Sequence, residues 1–464
     1  MPRSAATSTM LLLFIAGYLL GCGPRPGVVE PATRHPCTLT AGSAASDTVT
    51  VAVGGSVDPT HAPVPRNEAE RLLFGHLYET LIRVDCQGRV VRGLAESWSS
   101  SDEGRRWRFT LRSGAAFWDG APVTAEDIKA SWLVRRGERP APWADSVAGS
   151  AIVESERVLA VSLDRAHEEV PRIFAHAGLA VARRASEPRS WPLGTGAYAV
   201  VMAAGSDIVA VPQWAVREDV LPVFRFVASG DDPRDLIDAG AGLLVTRDAA
   251  VLEYAEAAET VQAFPLPWDV VYLLLAPSRV GTPSAFETAE LARELTTGAA
   301  RAESRVPEGP QWWEGVAACP VAWSAPLETR ASSGRIVYRR GDRTAQGLAE
   351  RLVALAAAGR LGGLVPALST VERPSAAGLS DSEYAAAVAV GRDGAYVLRL
   401  EKHVLDPCLA ITMLLRRIPW AVHSDLESVL VPLVETRAQA IVRWGSGTVM
   451  IDWDGMPYLA PVAR

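Results

Sequence analysis

Apolar residues recur along this chain with two alternating periods. Thr48–Val53 alternates β-branched with small residues and runs into Gly54-Gly55, which predicts a strand leading into a loop. Asn67-Glu68-Ala69-Glu70 follows as a helix-start phrase, with Glu70 placed to reach back to the Asn67 amide. Behind it Leu73, Leu77, Leu81 and Ile82 keep helical spacing, so residues 68–84 are predicted as an amphipathic helix. Trp107, Phe109 and Leu111 alternate with Arg108, Thr110 and Arg112, the period of a half-buried strand. Asp119-Gly120 marks a turn, Thr124 opens a helix with Ile128 and Trp132 on one face, and residues 154–163 are strand-like.

Gly194-Thr195-Gly196 precedes Tyr198 and another β-rich segment. The second half alternates helices over 288–296, 345–357 and 426–443 with strands over Val270–Leu275, Arg335–Arg339 and 449–453. Pro432 is expected to kink or split the last of those helices. No solenoid-length repeat is visible. Mixed strands and helices over 464 residues predict an α/β protein of more than one lobe.

Composition narrows the function classes. A hydrophobic content of 48% with 21% charged residues excludes wholesale disorder. With 46 basic against 53 acidic residues the net charge is −7, which removes the basic face a nucleic-acid binder needs. The chain has no apolar run of about 18 residues or more, so a polytopic membrane protein is excluded. Lys129 and Lys402 are the only lysines among the 46 basic residues; the arginine skew is read as codon usage rather than function.

The apolar run from Met10 to Leu20 follows Arg3 and is short for a bilayer span, as in a signal peptide. Leu19-Leu20-Gly21-Cys22 resembles a bacterial lipobox, so residues 1–21 are expected to be a lipoprotein signal and Cys22 the lipidated residue. An ordinary secretory signal with a chance cysteine is the competing reading. Residues 22–47, rich in Pro, Gly, Ser and Ala, then serve as a flexible tether. Export leaves Cys37, Cys86, Cys319 and Cys408 as an even set in an oxidising compartment, with three possible pairings and no CxxC spacing.

Catalytic signatures are missing: no Walker A, no GxGxxG after a strand, no GxSxG, no HExxH. His35, His61, His76, His167, His176, His403 and His423 are scattered and read as surface or lightly buried residues. The acid pairs Asp231-Asp232 and Asp452/Asp454 read as solvated turn residues. The expectation is therefore no enzyme, no cofactor and no metal. The 14 tryptophans, among them Trp312, Trp313, Trp323 and Trp420 of the second half, are expected to be mostly core residues, with at least one walling a cleft.

Between Leu77 and Trp132 a chain of short phrases appears in order: Tyr78-Glu79-Thr80-Leu81, Gly93-Leu94-Ala95-Glu96-Ser97-Trp98, Phe109-Thr110-Leu111-Arg112-Ser113-Gly114, Phe117-Trp118-Asp119-Gly120 and Thr124-Ala125-Glu126-Asp127-Ile128. Together they resemble the family 5 extracellular solute-binding proteins, receptors of ABC importers for oligopeptides, dipeptides, nickel complexes and related cargo. Gly194-Thr195-Gly196-Ala197-Tyr198 resembles the family's "GTGPY", with Ala197 in place of Pro. Trp98 and Trp107 are expected to supply core area. These motifs build scaffold and do not name cargo. The second half departs: the family's "vRqAlayAidr" helix survives only as Ala289-Glu290-Leu291-Ala292-Arg293-Glu294-Leu295, and the segment after Tyr198 looks trimmed.

The resemblance implies a two-lobe, periplasmic-binding-protein-like α/β fold of three domains, with a hinge and cargo held in the interlobe cleft. Lobe one would comprise 48–60, 165–260 and 441–464, with 61–164 inserted; lobe two would be 261–440. The implied partners are a small solute or short peptide, ABC permease subunits and, through the lipid anchor, a membrane; the implied state is an extracytoplasmic monomer. An orphan sensor or envelope scaffold, and a hydrolase on the same scaffold, are the rival readings. Within-lobe disulfides 37–86 and 319–408 would leave the hinge free. The family's amine-binding aspartate falls on or near His403 in Glu401-Lys402-His403-Val404-Leu405-Asp406-Pro407, which weakens the case for capture of a peptide amine. The candidate ligand residues are Ser56 and Asp58 after the first strand, Tyr198 beside the glycines, His403, Asp406, and Trp420 as an aromatic wall.

Overall fold

A computed structural model of the chain describes residues 38–40, 48–84, 89–134, 142–184, 191–204, 207–213, 222–230, 232–266, 270–276, 285–296, 304–305, 334–361, 368, 372–391, 394–401, 430–443, 448–451 and 457–460. All lie in the compact unit Cys37–Arg464.

Thr48–Val53 forms as expected and becomes the middle of a seven-stranded sheet. The order is Val261–Pro265, Gln439–Arg443, Leu243–Thr246, Thr48–Val53, Val223–Ala228, Asp207–Pro212, Tyr198–Ala204. The central strand is parallel to both neighbours, and both its faces are covered, as parallel sheets require. Val49, Val51 and Val53 face the helix Glu68–Leu77, sharing a core with Leu72, Leu73, Phe74 and Phe226. Ala52 points the other way, toward Val251, Leu252 and Ala255 of the helix Ala249–Ala257.

The helix starting at Glu68 stops at Leu77, short of the predicted residue 84, and Ile82–Val84 is a strand. Tertiary contact overrides the helical spacing here. The Gly196 amide donates to the Leu77 carbonyl (2.9 Å), satisfying one of the orphan acceptors at the helix end. A Cβ on Gly194 would lie 2.0 Å from that same oxygen, and one on Gly196 would lie 2.4 Å from the His76 oxygen. That close approach explains the two glycines of the motif. The helix packs into the core of the seven-stranded sheet, although it falls within 61–164, the range expected for the inserted domain.

A second body is built on the four-stranded sheet Ala95–Ser101, Arg106–Leu111, Val158–Ser162, Ile152–Ser155. Its core holds Trp107, Phe109, Phe117, Trp132 and Phe174. Thr124 and Asp127 cap the helix Ala125–Val134 reciprocally: Asp127 N–H donates to Thr124 Oγ1 (3.1 Å), and Thr124 N–H donates to Asp127 Oδ2 (2.9 Å). Glu79 and Arg112, from two separate phrases of the motif chain, form a bidentate pair at 3.0 and 2.7 Å. Arg112 also donates to the Gly93 carbonyl, so the phrases are tied together as scaffold. Trp98 is only half-buried at the margin of this core, contrary to the core role expected of it. Its strand lies at the edge of the sheet, with a neighbour on one side only.

The third body is the six-stranded sheet Ser304–Arg305, Leu430–Thr436, Val270–Leu275, Ala395–Glu401, Arg335–Arg339, Ser375–Leu379. The helix Arg343–Ala357 packs Leu348, Leu352 and Leu355 into its core. The helix predicted over 426–443 is not there. Leu430–Thr436 and Gln439–Arg443 are strands, the first buried at every residue. An unbroken buried apolar run suits a strand covered on both faces better than an amphipathic helix. Pro432 is accommodated because the register against Val270–Leu275 shifts beside it, and irregular pairing tolerates a residue lacking N–H.

The chain passes between the seven- and six-stranded sheets twice, after Pro265 and between Thr436 and Gln439. The two crossings lie together, the Leu266 amide donating to the Ala438 carbonyl at 3.0 Å. Thr448–Ile451 joins Thr38–Thr40 and Pro457–Ala460 in a separate three-stranded sheet. Cys37, Cys86, Cys319 and Cys408 lie outside the described residues, as does Cys22.

Candidate ligand cleft

Three parallel strands of the seven-stranded sheet end on one edge, and each hands its following loop to the same cavity. Gly54 and Gly55 follow Val53, Ser229 and Gly230 follow Ala228, and Arg247 and Asp248 follow Thr246. The carboxyl ends of parallel strands are where open α/β sheets form ligand crevices. The six-stranded body supplies the opposite wall through Tyr272, Arg399, Val434 and the turn Arg339-Arg340-Gly341-Asp342-Arg343. The cavity between them has a volume of about 1050 Å³.

Helices Glu68–Leu77, Ala249–Ala257 and Arg343–Ala357 all begin at this cavity. Their N-caps are Asn67, Asp248 and Asp342, each accepting a hydrogen bond from an amide of its own first turn. Asp342 also accepts from the Tyr272 hydroxyl at 3.0 and 3.1 Å. Burial, with the adjacent Asp342 charge, pushes the Tyr272 phenol far above its ordinary range, so it acts there as a fixed donor.

Among the described residues, two ion pairs cross the cleft. Glu68 Oε1 accepts from Arg247 Nε (3.0 Å) on its own side and from an Arg399 guanidinium nitrogen (2.9 Å) on the other. The surrounding protein pushes the Glu68 carboxyl up, but the Arg247 and Arg399 charges outweigh this and hold it below the usual carboxylate range. Arg343 reaches Asp248 in the second pair. The described lining residues include eight arginines, at 66, 71, 247, 339, 340, 343, 351 and 399, but no histidine and no cysteine. Eight of the chain's 44 arginines thus line one cavity, while the skew itself runs through the whole chain. The pentapeptide Arg339–Arg343, three arginines around a glycine between a strand and a helix, was the signal available in the sequence.

Of the expected site residues, the three described ones, Ser56, Asp58 and Tyr198, do not line this cavity. Ser56 is exposed, and its carbonyl accepts from Asn67 Nδ2 (3.1 Å). Asp58 accepts from the amide (2.8 Å) and hydroxyl (2.7 Å) of Thr60, bonds that lower its carboxyl pKa, so it shapes the rim loop. Neither is among the lining residues. That loop is held by Glu70, whose buried carboxylate accepts from the amides of Asp58 (3.1 Å) and Arg66 (2.7 Å) rather than from Asn67 as predicted. Tyr198 is a core residue: 2% exposed, stacked on Phe224 at 4.5 Å, with its hydroxyl donating to the Pro222 carbonyl. A large ring on an inward-facing strand position buries more favourably in the core than at an open cleft. His403, Asp406 and Trp420 lie outside the described residues.

Residues 89–216 match the model of the bacterial extracellular solute-binding proteins, family 5 Middle. Over this segment the chain is similar to that family. Among its curated relatives, a putative binding protein of Haemophilus influenzae is 31% identical over 132 residues, 25% of this chain and 26% of the relative. The periplasmic oligopeptide-binding protein OppA of Escherichia coli is 32% identical over 131 residues, 28% of this chain and 22% of OppA. The aligned sequence thus spans about a quarter of these relatives' length. The fold likeness is wider. NikA from Brucella suis, solved with Fe(III)-EDTA, aligns with a TM-score of 0.64 at 14% identity over 89% of this chain and 100% of NikA. The murein tripeptide binding protein MppA of Escherichia coli gives 0.60 at 15% identity, over 89% of this chain and 98% of MppA. These neighbours have a two-lobe periplasmic binding fold, and in this chain the arginine-lined cavity lies between the sheets of the two lobes.

Proposed function

We propose that this protein is a solute-binding protein of family 5 type and the extracytoplasmic substrate-binding component of an ABC-type importer, holding a small solute in the interlobe cleft and delivering it to a permease. One observation carries the reading: a cavity of about 1050 Å³ whose two walls come from different sheets and are already bridged by Glu68–Arg399 and Asp248–Arg343. Closure around cargo would add ligand contacts to both walls at once, so cargo shifts the population toward the closed form that a permease recognises. The adjacent crossings near Leu266 and Ala438 serve as the hinge. Native mass spectrometry of protein purified from its own cells tests this. A small solute held noncovalently and released unaltered by denaturation is expected. A bound solute that is turned over would favour the hydrolase, and a protein that never retains or binds any solute would end the receptor reading.

Cys22 is proposed as the lipid attachment point, with 22–47 as the tether. Labelled fatty acid should enter the wild type and be lost in Cys22→Ser, with the variant released from membranes. An unlabelled, soluble wild type would refute the anchor.

A further inference from the structure

The charge of the cleft points to the class of solute it takes. The protein carries a net −7, yet its cavity concentrates guanidiniums. Most carboxylates near them are already committed. Glu68 is shared by Arg247 and Arg399, Asp248 is paired with Arg343, and Asp342 is taken up by the Tyr272 hydroxyl and a helix cap. From outside the cavity, Asp381 backs Arg339 and Glu294 backs Arg351. At the rim, Asp58 spends its charge on Thr60, and Asp232 spends its own on Arg234. Among the described residues, eight lining arginines stand against three lining carboxylates, with Asp381 and Glu294 behind two of the arginines.

Three helix N-termini open on the same space and add positive partial charge of about half a unit each, in part offset by their caps. Like charges held in a concave wall repel one another, and an anionic guest removes that repulsion while gaining charge-assisted bonds. Among the described lining residues no carboxylate remains uncommitted to receive an ammonium group.

Resting on the receptor reading above, we propose that the cargo is a small solute bearing at least two carboxylate or phosphate groups. Arg66 and Arg340 are the cleft arginines that contact it without serving the cross-cleft pairs. Both are exposed, so replacing them leaves the cores intact.

Calorimetry and thermal shift on the purified, ligand-stripped protein test the inference with four probes: citrate, fructose 1,6-bisphosphate, tri-alanine and tri-lysine. The first two separate a carboxylate from a phosphate source. At least one should bind, more weakly as added salt cuts the screening length from about 30 Å at 0.01 M to about 8 Å at 0.15 M. The double variant Arg66→Gln, Arg340→Gln should weaken that binding about ten-fold or more with an unchanged ligand-free melting temperature. Binding of tri-alanine or tri-lysine in preference to both anions would overturn the inference and leave the receptor reading standing. Anion binding indifferent to salt and to the double variant would overturn it too. If none of the four binds, the anionic assignment falls, and the receptor reading is decided separately by the co-purified solute.

Discussion

Trp132→Ala should destabilise the protein by about 3–5 kcal/mol, the range of large aromatic truncations in close-packed cores. The ring is fully buried in the body built on the four-stranded sheet, among Trp107, Phe109, Phe117 and Phe174. Its indole N–H donates to the Leu179 carbonyl at 2.9 Å, so truncation leaves both a cavity and an unpaired buried acceptor. Trp98→Ala is the control. That residue is half-buried at the sheet edge and has less area to lose, so its loss should be well below that of Trp132→Ala. Denaturant unfolding of both variants measures the difference. Equal losses would show that the core of this body is not centred on Trp132.

The second large effect is an acid sensitivity that belongs to His76. Its ring meets Tyr198 and Phe224 edge-on at 5.7 and 5.1 Å, and its Nδ1–H donates to the Leu72 carbonyl at 2.7 Å. Burial disfavours the imidazolium and pushes the pKa down to about 4, against an ordinary 6.5. Between those values the unfolded chain binds a proton that the folded chain refuses. Stability is therefore fully present above about pH 6.5 and falls as the pH drops toward 4, by up to about 3 kcal/mol from this group. His76→Gln removes the titration, so the difference in unfolding free energy between wild type and variant should change by that amount from pH 7 to pH 4. A pH-independent difference would show that the imidazole is protonated in the fold.

Part of this protein is legible in its order of residues alone. The strand Thr48–Val53, the cap formed by Thr124 and Asp127, and the strands Val270–Leu275 and Arg335–Arg339 follow from local periodicity and capping chemistry. The motif chain from Tyr78 to Ile128 is legible for the same reason, since its phrases are short and hold the scaffold together, as the Glu79–Arg112 pair shows. Other features depend on contacts between residues far apart in the chain. The helix at Glu68 ends at Leu77 because Gly194 and Gly196 press against its last turn. Leu430–Thr436 is a strand because Val270–Leu275 and Ser304–Arg305 pair with its two edges inside a buried sheet, which an apolar run cannot announce by itself.

The cleft is the extreme case. Local patterns carry the α/β class, the scaffold phrases, the arginine excess and the loop positions Ser56 and Asp58 near a strand end. That Glu68 and Arg399, 331 residues apart, share a hydrogen bond, and that Tyr198 belongs to the core, depends on how the folded chain brings distant segments together. The physical reason is that helix caps, turns and strand periods are settled by neighbours a few positions away. A charged cavity arises only where the ends of separate strands and helices converge in space, and no local pattern encodes which ends will meet.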